Sequence, residues 1–161
     1  MYSSDALTDL HERTHRSLRG MLDHLDAFTP EETGRAIEGF GYPSLRFQLH
    51  HVIGAERYWF GVLRGEMLTD EDEADYASLS GLRTLRDRVA AETSAYLRES
   101  TEEDLNRRRG VTTWGNKRRE LTPAHVLLRT QTHAYQHLGQ MTAMCRLLGR
   151  PVPPGLDFPL D

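Results

Sequence analysis

The stretch HAYQHLGQMTAMCRLLG, from His133 to Gly149, forms the second half of a long predicted helix. Histidine and apolar side chains recur here at steps of three and four residues, and one stripe of the helix carries Val126, Thr130, His133, His137, Met141, Met144 and Leu148. The pattern predicts a helix that begins near Pro123, after the capping sequence LTPAH, and stops at Gly149 before Pro151. Such a stripe has to be buried against other helices, so a bundle is the expected fold.

Three further long helices are predicted upstream of this one. The first begins near Ser4 or Asp5, the second covers about residues 44–63 with Ser44 as its cap, and the third covers about residues 80–100. The expected fold class is therefore all-α, a four-helix bundle. Residues 64–78 between the second and third helices are long and acidic, which predicts a crossover of the bundle in place of a tight turn.

Shorter elements separate the long helices. TPEE (residues 29–32) is a capping box with proline at the first helical position, and TEEDL (residues 101–105) is a second capped start. Residues 107–121 are predicted to form a small β-hairpin that turns at residues 114–116, just before the fourth helix. We expect a single domain over residues 1–161, in which residues 150–161 form an extended C-terminal tail that either packs back on the bundle or projects from it.

Composition and charge exclude several classes of protein. The chain has 161 residues and a net charge of −4, which argues against a nucleic-acid partner. A basic cluster at residues 106–120 admits a phosphate site or a solvated loop, and we favour the loop. A lone cysteine, no secretory leader and no run of about 18 apolar residues predict a cytoplasmic protein without a membrane partner.

The histidines raise the question of a metal site. His133 and His137 lie one turn apart on the apolar face of the fourth helix, where two imidazoles need either hydrogen-bond partners or a metal ion. On the second helix, His51 lies on an apolar strip with Phe47, Tyr58 and Val62 and is expected to point inward. Its neighbour His50 is expected to face solvent. Three inward histidines would form a three-coordinate site with positions left open for water or substrate, as in catalytic metal sites.

The sequence HERTH, at residues 11–15, matches the zinc-peptidase pattern H-E-x-x-H. It lies near the start of an all-α chain and has no neighbouring strand to bind a peptide, so we reject that function and do not assign Glu12 as a catalytic base. His11 and His15 are interpreted as ordinary helix or interface histidines, with a supporting role near the metal pocket as the alternative.

Two motifs resemble those of the DinB-like superfamily of DNA-damage-inducible and YfiT-type proteins. HHVIGAERYWF is similar to the motif of that family's second helix, with His51, Glu56 and Trp59 at the matching positions. HAYQHLGQ is similar to the fourth-helix motif H-x-x-x-H-x-G-Q, with its two histidines, a glycine and Gln140. The order of the helices and the long crossover also agree, so the resemblance covers about residues 5–150.

The resemblance implies a divalent metal ion, nickel or zinc, held by His51, His133 and His137. It also implies an up-down-down-up bundle, commonly a homodimer, and for some relatives a transferase or isomerase reaction that uses a low-molecular-weight thiol such as bacillithiol or mycothiol. Gln140 and Glu56 are candidates for supporting the ligands. Glu56 lies about 140° around the helix from His51, which favours a salt-bridge or hydrogen-bonding role.

The expected function is a metal-dependent enzyme that activates such a thiol for transfer to a small electrophile, which would be its small-molecule substrate. The alternatives are a non-enzymatic, stress-associated metal-binding bundle and a metal-dependent hydrolase. Arg129, one turn before His133, is a candidate contact for an anionic substrate. Cys145 is expected to lie in the core.

Overall fold

The computed structural model describes residues 1–66, 68 and 76–161. Within them the helices are α1 (Ser4–Leu25), α2 (Pro30–Gly34), α3 (Leu45–Arg64), α4 (Leu79–Glu99), α5 (Glu102–Asn106) and α6 (Pro123–Leu147), and the strands are β1 (Arg109–Thr113) and β2 (Lys117–Leu121). The four long helices α1, α3, α4 and α6 correspond to the four predicted from the sequence. Most of the predicted crossover lies outside the described residues.

Side-chain caps fix where most of these helices begin. Ser44 accepts a hydrogen bond from the backbone N–H of Phe47 at 3.2 Å and caps α3. The predicted capping box is present at α2, where Thr29 Oγ1 accepts from the Glu32 N–H and the Glu32 carboxylate accepts from the Thr29 N–H. Each bond satisfies a donor that the first turn of a helix leaves unpaired. These starts are therefore confirmed as read from the sequence.

Two predicted caps are wrong in detail. Ser3, one residue before the predicted start, caps α1 by accepting from the N–H of Ala6 at 3.2 Å. Thr122 occupies the capping position of α6 but its side chain makes no capping hydrogen bond. Pro123 follows it, and proline has no N–H to satisfy at the first helical position, so α6 starts without that bond.

Each long helix packs against two of the other three. Helix α1 contacts α4 and α6, and α3 contacts the same two. The core between them is divided into two hydrophobic clusters. One contains Leu18, Leu49, Leu85 and Leu138, and the other contains Leu7, Phe60, Leu97 and Leu127.

A polar layer separates the two clusters. At the same level of the bundle, each long helix contributes buried polar side chains that are at most 4% exposed, namely His11, Thr14, His15, Glu56, Thr93, Thr130 and Gln131. Burial of so many polar groups is unfavourable unless they bond to one another. The part of the layer around Glu56 forms such a network, which is described with the candidate site.

The predicted hairpin is present and is anchored to α3. Strands β1 and β2 pair antiparallel, with Thr113 opposite Lys117, and the turn between them places Gly115 at φ 68° and Asn116 at φ 54°. Glycine and asparagine are the residues that best tolerate this left-handed backbone. The backbone N–H of Trp114 donates to the Tyr58 hydroxyl of α3 at 3.0 Å. The hairpin is thereby held over α3.

The C-terminal tail packs along α1. Arg13 donates to the Pro159 carbonyl at 2.7 Å, and Ser17 donates to the Asp157 carbonyl at 3.0 Å. Leu156 packs against the larger hydrophobic cluster, whereas Leu160 is 89% exposed. Of the two alternatives that the sequence allowed, packing on the bundle is the one observed, up to the last residues. None of the described helices is long and apolar enough to span a membrane.

Candidate metal centre

Three histidine side chains meet where α3 crosses α6. His133 Nε2 lies 3.3 Å from His51 Nε2 and 3.0 Å from His137 Nε2. All three ligand atoms fall within 4.8 Å of one another. His137 is 4% exposed, and the other two are half-buried. The inward orientation of His51, His133 and His137 that the sequence predicted is therefore the one observed, and we call these residues the histidine triad.

The amide of Gln48 fixes the tautomer of His137. Gln48 Nε2 donates to the Tyr42 carbonyl at 2.7 Å and to Gln140 Oε1 at 3.0 Å, so its oxygen has to face His137. His137 Nδ1 then carries the proton and donates it to Gln48 Oε1. The lone pair of His137 is left on Nε2, which is the atom that faces the other two histidines.

Tyr42 covers one side of the triad. Its ring stacks on the ring of His51, with the centroids 3.7 Å apart and the planes at 17°, and it meets the ring of His137 edge-on. Neither Tyr42 nor Gln48 was predicted as a site residue. Gln48 lies three residues before His51, on the same face of the helix. A polar residue within that apolar strip was the signal that could have identified it as a site residue. Tyr42 lies in a loop and carries no such signal.

Burial keeps the triad uncharged. Burial, reinforced by the neighbouring His137 and His133, lowers the pKa of His51 to about 4. Burial likewise lowers the pKa of His133 to about 4, with contributions from His137 and from Arg129, and burial also lowers the pKa of His137. At neutral pH the triad is therefore composed of neutral imidazoles, the form that binds metal ions.

The triad fits a divalent cation. His133 Nε2 lies 3.3 Å from His51 Nε2 and 3.0 Å from His137 Nε2, and two unprotonated nitrogens at such a distance repel unless a cation lies between them. Gln48 holds the proton of His137 on Nδ1, and His133 Nε2 either carries one proton or accepts one, so at most one of the two contacts can be a hydrogen bond. A cation bound by three imidazoles removes this conflict, and an all-imidazole donor set suits nickel and zinc.

An open cavity lies beside the triad. Its volume is about 420 Å³, within the range of small-molecule sites, and His51 and His133 form part of its wall. The hairpin and α3 supply the aromatic side chains Tyr58, Trp59 and Trp114, and the cations are Lys117, Arg119 and Arg129. Arg129, the candidate contact for an anionic substrate, borders the cavity, and the hairpin adds residues that were not predicted for the site.

The two residues proposed to support the ligands lie in different places. Gln140 reaches the triad through Gln48, whose side chain bonds both to it and to His137. Glu56 instead lies in the polar layer, where its carboxylate accepts from Thr93 at 2.7 Å, from His11 at 3.0 Å and from His15 at 3.1 Å.

The cluster of His11, His15 and Glu56 joins α1 to α3. Burial alone would raise the pKa of the Glu56 carboxyl, but attraction to His15 and the hydrogen bonds from both histidines outweigh it and lower that pKa below its ordinary range. The three residues also have the spacing of a metal site. Here, however, each histidine Nε2 already has a carboxylate partner, while each Nδ1 is buried without one. A metal on Nε2 would leave two buried N–H donors unpaired, so we interpret the cluster as a structural network.

HERTH thus lies apart from the histidine triad. Its two histidines are core residues of the polar layer, and Glu12 between them is exposed. The expectation for His50 is wrong. It is 7% exposed, because Tyr76, shortly before α4, packs over it with the ring centroids 5.4 Å apart.

We expect Gln48→Leu to weaken metal binding by about 10–100-fold, the usual effect of losing a residue that orients a ligand histidine. Leucine cannot accept the His137 proton, so the ring becomes free to turn or to change tautomer. Competition with a chromophoric chelator would give the dissociation constant. Gln140→Leu, which removes only the contact behind Gln48, serves as the comparison and should have a smaller effect. Equal affinity of wild type and Gln48→Leu would contradict this role.

Comparison with known proteins agrees with this fold. The class of protein is that of helical bundles with a histidine triad between two of their helices. The DinB family model matches residues 3–161. The chain belongs to the DinB family. A crystal structure of a DinB-like protein from Bacillus cereus ATCC 10987 is similar to it, with a TM-score of 0.64 and 22% identity over 86% of this chain and 90% of that one. No curated protein matches the chain at a significant level. The resemblance seen in the sequence is confirmed.

Proposed function

We propose that this protein is a metal-dependent enzyme that activates a low-molecular-weight thiol for transfer to a small electrophile. The observation that carries the proposal is the convergence of three imidazole nitrogens in the wall of an open cavity. When bound, nickel or zinc supplies a positive charge that lowers the pKa of a coordinated thiol. His51, His133 and His137 would hold the ion.

The residues around the triad have separate tasks in this proposal. Gln48 keeps the lone pair of His137 on the atom that faces the ion, and Tyr42 prevents the ring of His51 from turning. The cavity admits the two reactants on the side of His51 and His133. A site that only stabilised the fold would be expected to be closed, so the open wall supports an enzyme over a scaffold.

The thiol has to come from outside the chain. Cys145 is the single cysteine, it is fully buried, and burial raises the pKa of its thiol to about 11. Its predicted place in the core is confirmed. A protonated thiol in the core is a poor nucleophile. Thiol chemistry at the triad therefore requires a small thiol such as bacillithiol or mycothiol.

The test is turnover. Protein loaded with nickel or zinc should conjugate 1-chloro-2,4-dinitrobenzene with bacillithiol or mycothiol faster than metal-free protein, and His137→Ala should abolish the difference. If the loaded protein turns over neither thiol, the non-enzymatic metal-binding bundle is favoured instead. The up-down-down-up helix order, the homodimer and the cytoplasmic location belong to the same proposal, and sedimentation of the purified protein tests the dimer.

A further inference from the structure

Three cationic side chains line the triad cavity. Lys117, Arg119 and Arg129 all line it, and none of the described residues that line it is acidic. Over the described part of the chain, no carboxylate forms an ion pair with any of these three side chains. Arginines elsewhere do have such partners: Arg83, for example, pairs with both Asp23 and Asp26 at 2.6 Å.

This concentration of positive charge runs against the charge of the whole chain, which is −4. Like charges that are gathered without counter-charges repel one another, and the repulsion is relieved when an anion binds between them. The arrangement is thus unfavourable in the free protein and favourable with an anionic ligand.

The hairpin and α6 bring the cations together from separate elements. Lys117 and Arg119 are two residues apart on β2, so they project from one face of the strand, towards the cavity. Arg118 lies between them and does not line this cavity; together with Arg119 it borders a second one. Arg129 lies one turn before His133 on α6, with its guanidinium 5.4 Å from the centre of the Trp59 ring.

The same cavity offers flat aromatic surfaces. Trp114 is 56% exposed, which is unusual for so large an apolar side chain. Its backbone is nevertheless anchored, since its backbone N–H donates to the Tyr58 hydroxyl, and its ring lies 5.0 Å from the Tyr58 ring. With Trp59, these rings provide stacking surfaces next to the cations.

We propose that this cavity binds a flat, anionic small molecule as the substrate that meets the activated thiol. Lys117, Arg119 and Arg129 bind its negative group, and Trp59 and Trp114 stack on its planar body. That the bound molecule is a substrate rests on the proposed function. The anion site itself rests only on the charges and rings of the cavity.

Titration with trans-cinnamate, a planar carboxylate, tests the proposal against its neutral counterpart cinnamamide. Both tryptophans of the chain line the cavity, so intrinsic tryptophan fluorescence reports binding there. With metal-free protein at constant ionic strength, cinnamate should bind at least about tenfold more tightly than cinnamamide, the discrimination expected of charged hydrogen bonds. Metal-free protein is used so that coordination of the carboxylate by an ion does not contribute.

The variants locate the site. The double variant Lys117→Ala/Arg119→Ala should weaken cinnamate binding by about tenfold or more, whereas Arg118→Ala, on the other face of the same strand, should change it by less than about twofold. Equal binding of acid and amide, an effect of Arg118→Ala as large as that of the double variant, or no saturable binding of cinnamate at millimolar concentration would each overturn the proposal. Metal content of the same samples is a separate readout, so a chain that binds cinnamate selectively but no metal would refute the proposed enzyme and not the anion site.

Discussion

His137→Ala is expected to reduce bound nickel or zinc from about one ion per chain to about a tenth of that or less, because losing a ligand has a larger effect than the roughly 10–100-fold of losing a residue that orients one. His137 is the most buried ligand of the triad, and it is the only one whose tautomer is fixed by Gln48. Elemental analysis of purified protein, after metal loading and removal of free ions, gives the stoichiometry.

His125→Ala is the matched control for this experiment. His125 lies on the same helix, two turns before His133. It is exposed to solvent, and its ring meets the ring of Tyr2 edge-on. The control should keep the full stoichiometry. Retention of the ion by His137→Ala, or its loss from His125→Ala as well, would show that the triad is not the metal site.

Glu56→Ala is expected to lower the free energy of unfolding by about 3–5 kcal/mol, the range for removing one partner of a buried charged network. The carboxylate accepts hydrogen bonds from His11 and His15 on α1 and from Thr93 on α4, while it is itself carried by α3. Its removal leaves these buried donors without an acceptor in the middle of the bundle. Urea denaturation followed by circular dichroism measures the change.

Glu12→Ala provides the comparison, since Glu12 lies beside His11 on α1 but is exposed. It should alter stability by no more than about 0.5 kcal/mol. Glu56→Ala should also retain the bound metal when folded, because the network is separate from the triad. A stability equal to wild type would mean that the network contributes nothing net, and loss of the ion would place the metal in the polar layer instead.

Much of the fold could be predicted because its signals are local. Ser44 and the capping box at residues 29–32 mark helix starts through bonds that span only three residues. The turn at residues 114–116 follows from the backbone preferences of glycine and asparagine. The inward direction of His133 and His137 follows from the period of one helix. None of these features depends on which helices pack against each other.

The prediction of His50 failed for the opposite reason. Helix periodicity placed it on a polar strip, but Tyr76 packs over its ring and buries it. Which side of a helix is covered depends on neighbours that are distant in the sequence. The same limit explains why Tyr42, in a loop before α3, was not predicted to stack on His51.

The sequence by itself determined the long helices, most of their caps, the hairpin and the three histidines that face inward, since each follows from the period or the capping of a single element. Only the tertiary structure decided which side chains meet. In the folded chain Gln48 bonds to His137, Glu56 bonds to the histidines of HERTH, and the cations of the hairpin line the cavity. The physical reason is that a hydrogen bond or a charge cluster between elements depends on distances across the bundle, which no local pattern specifies.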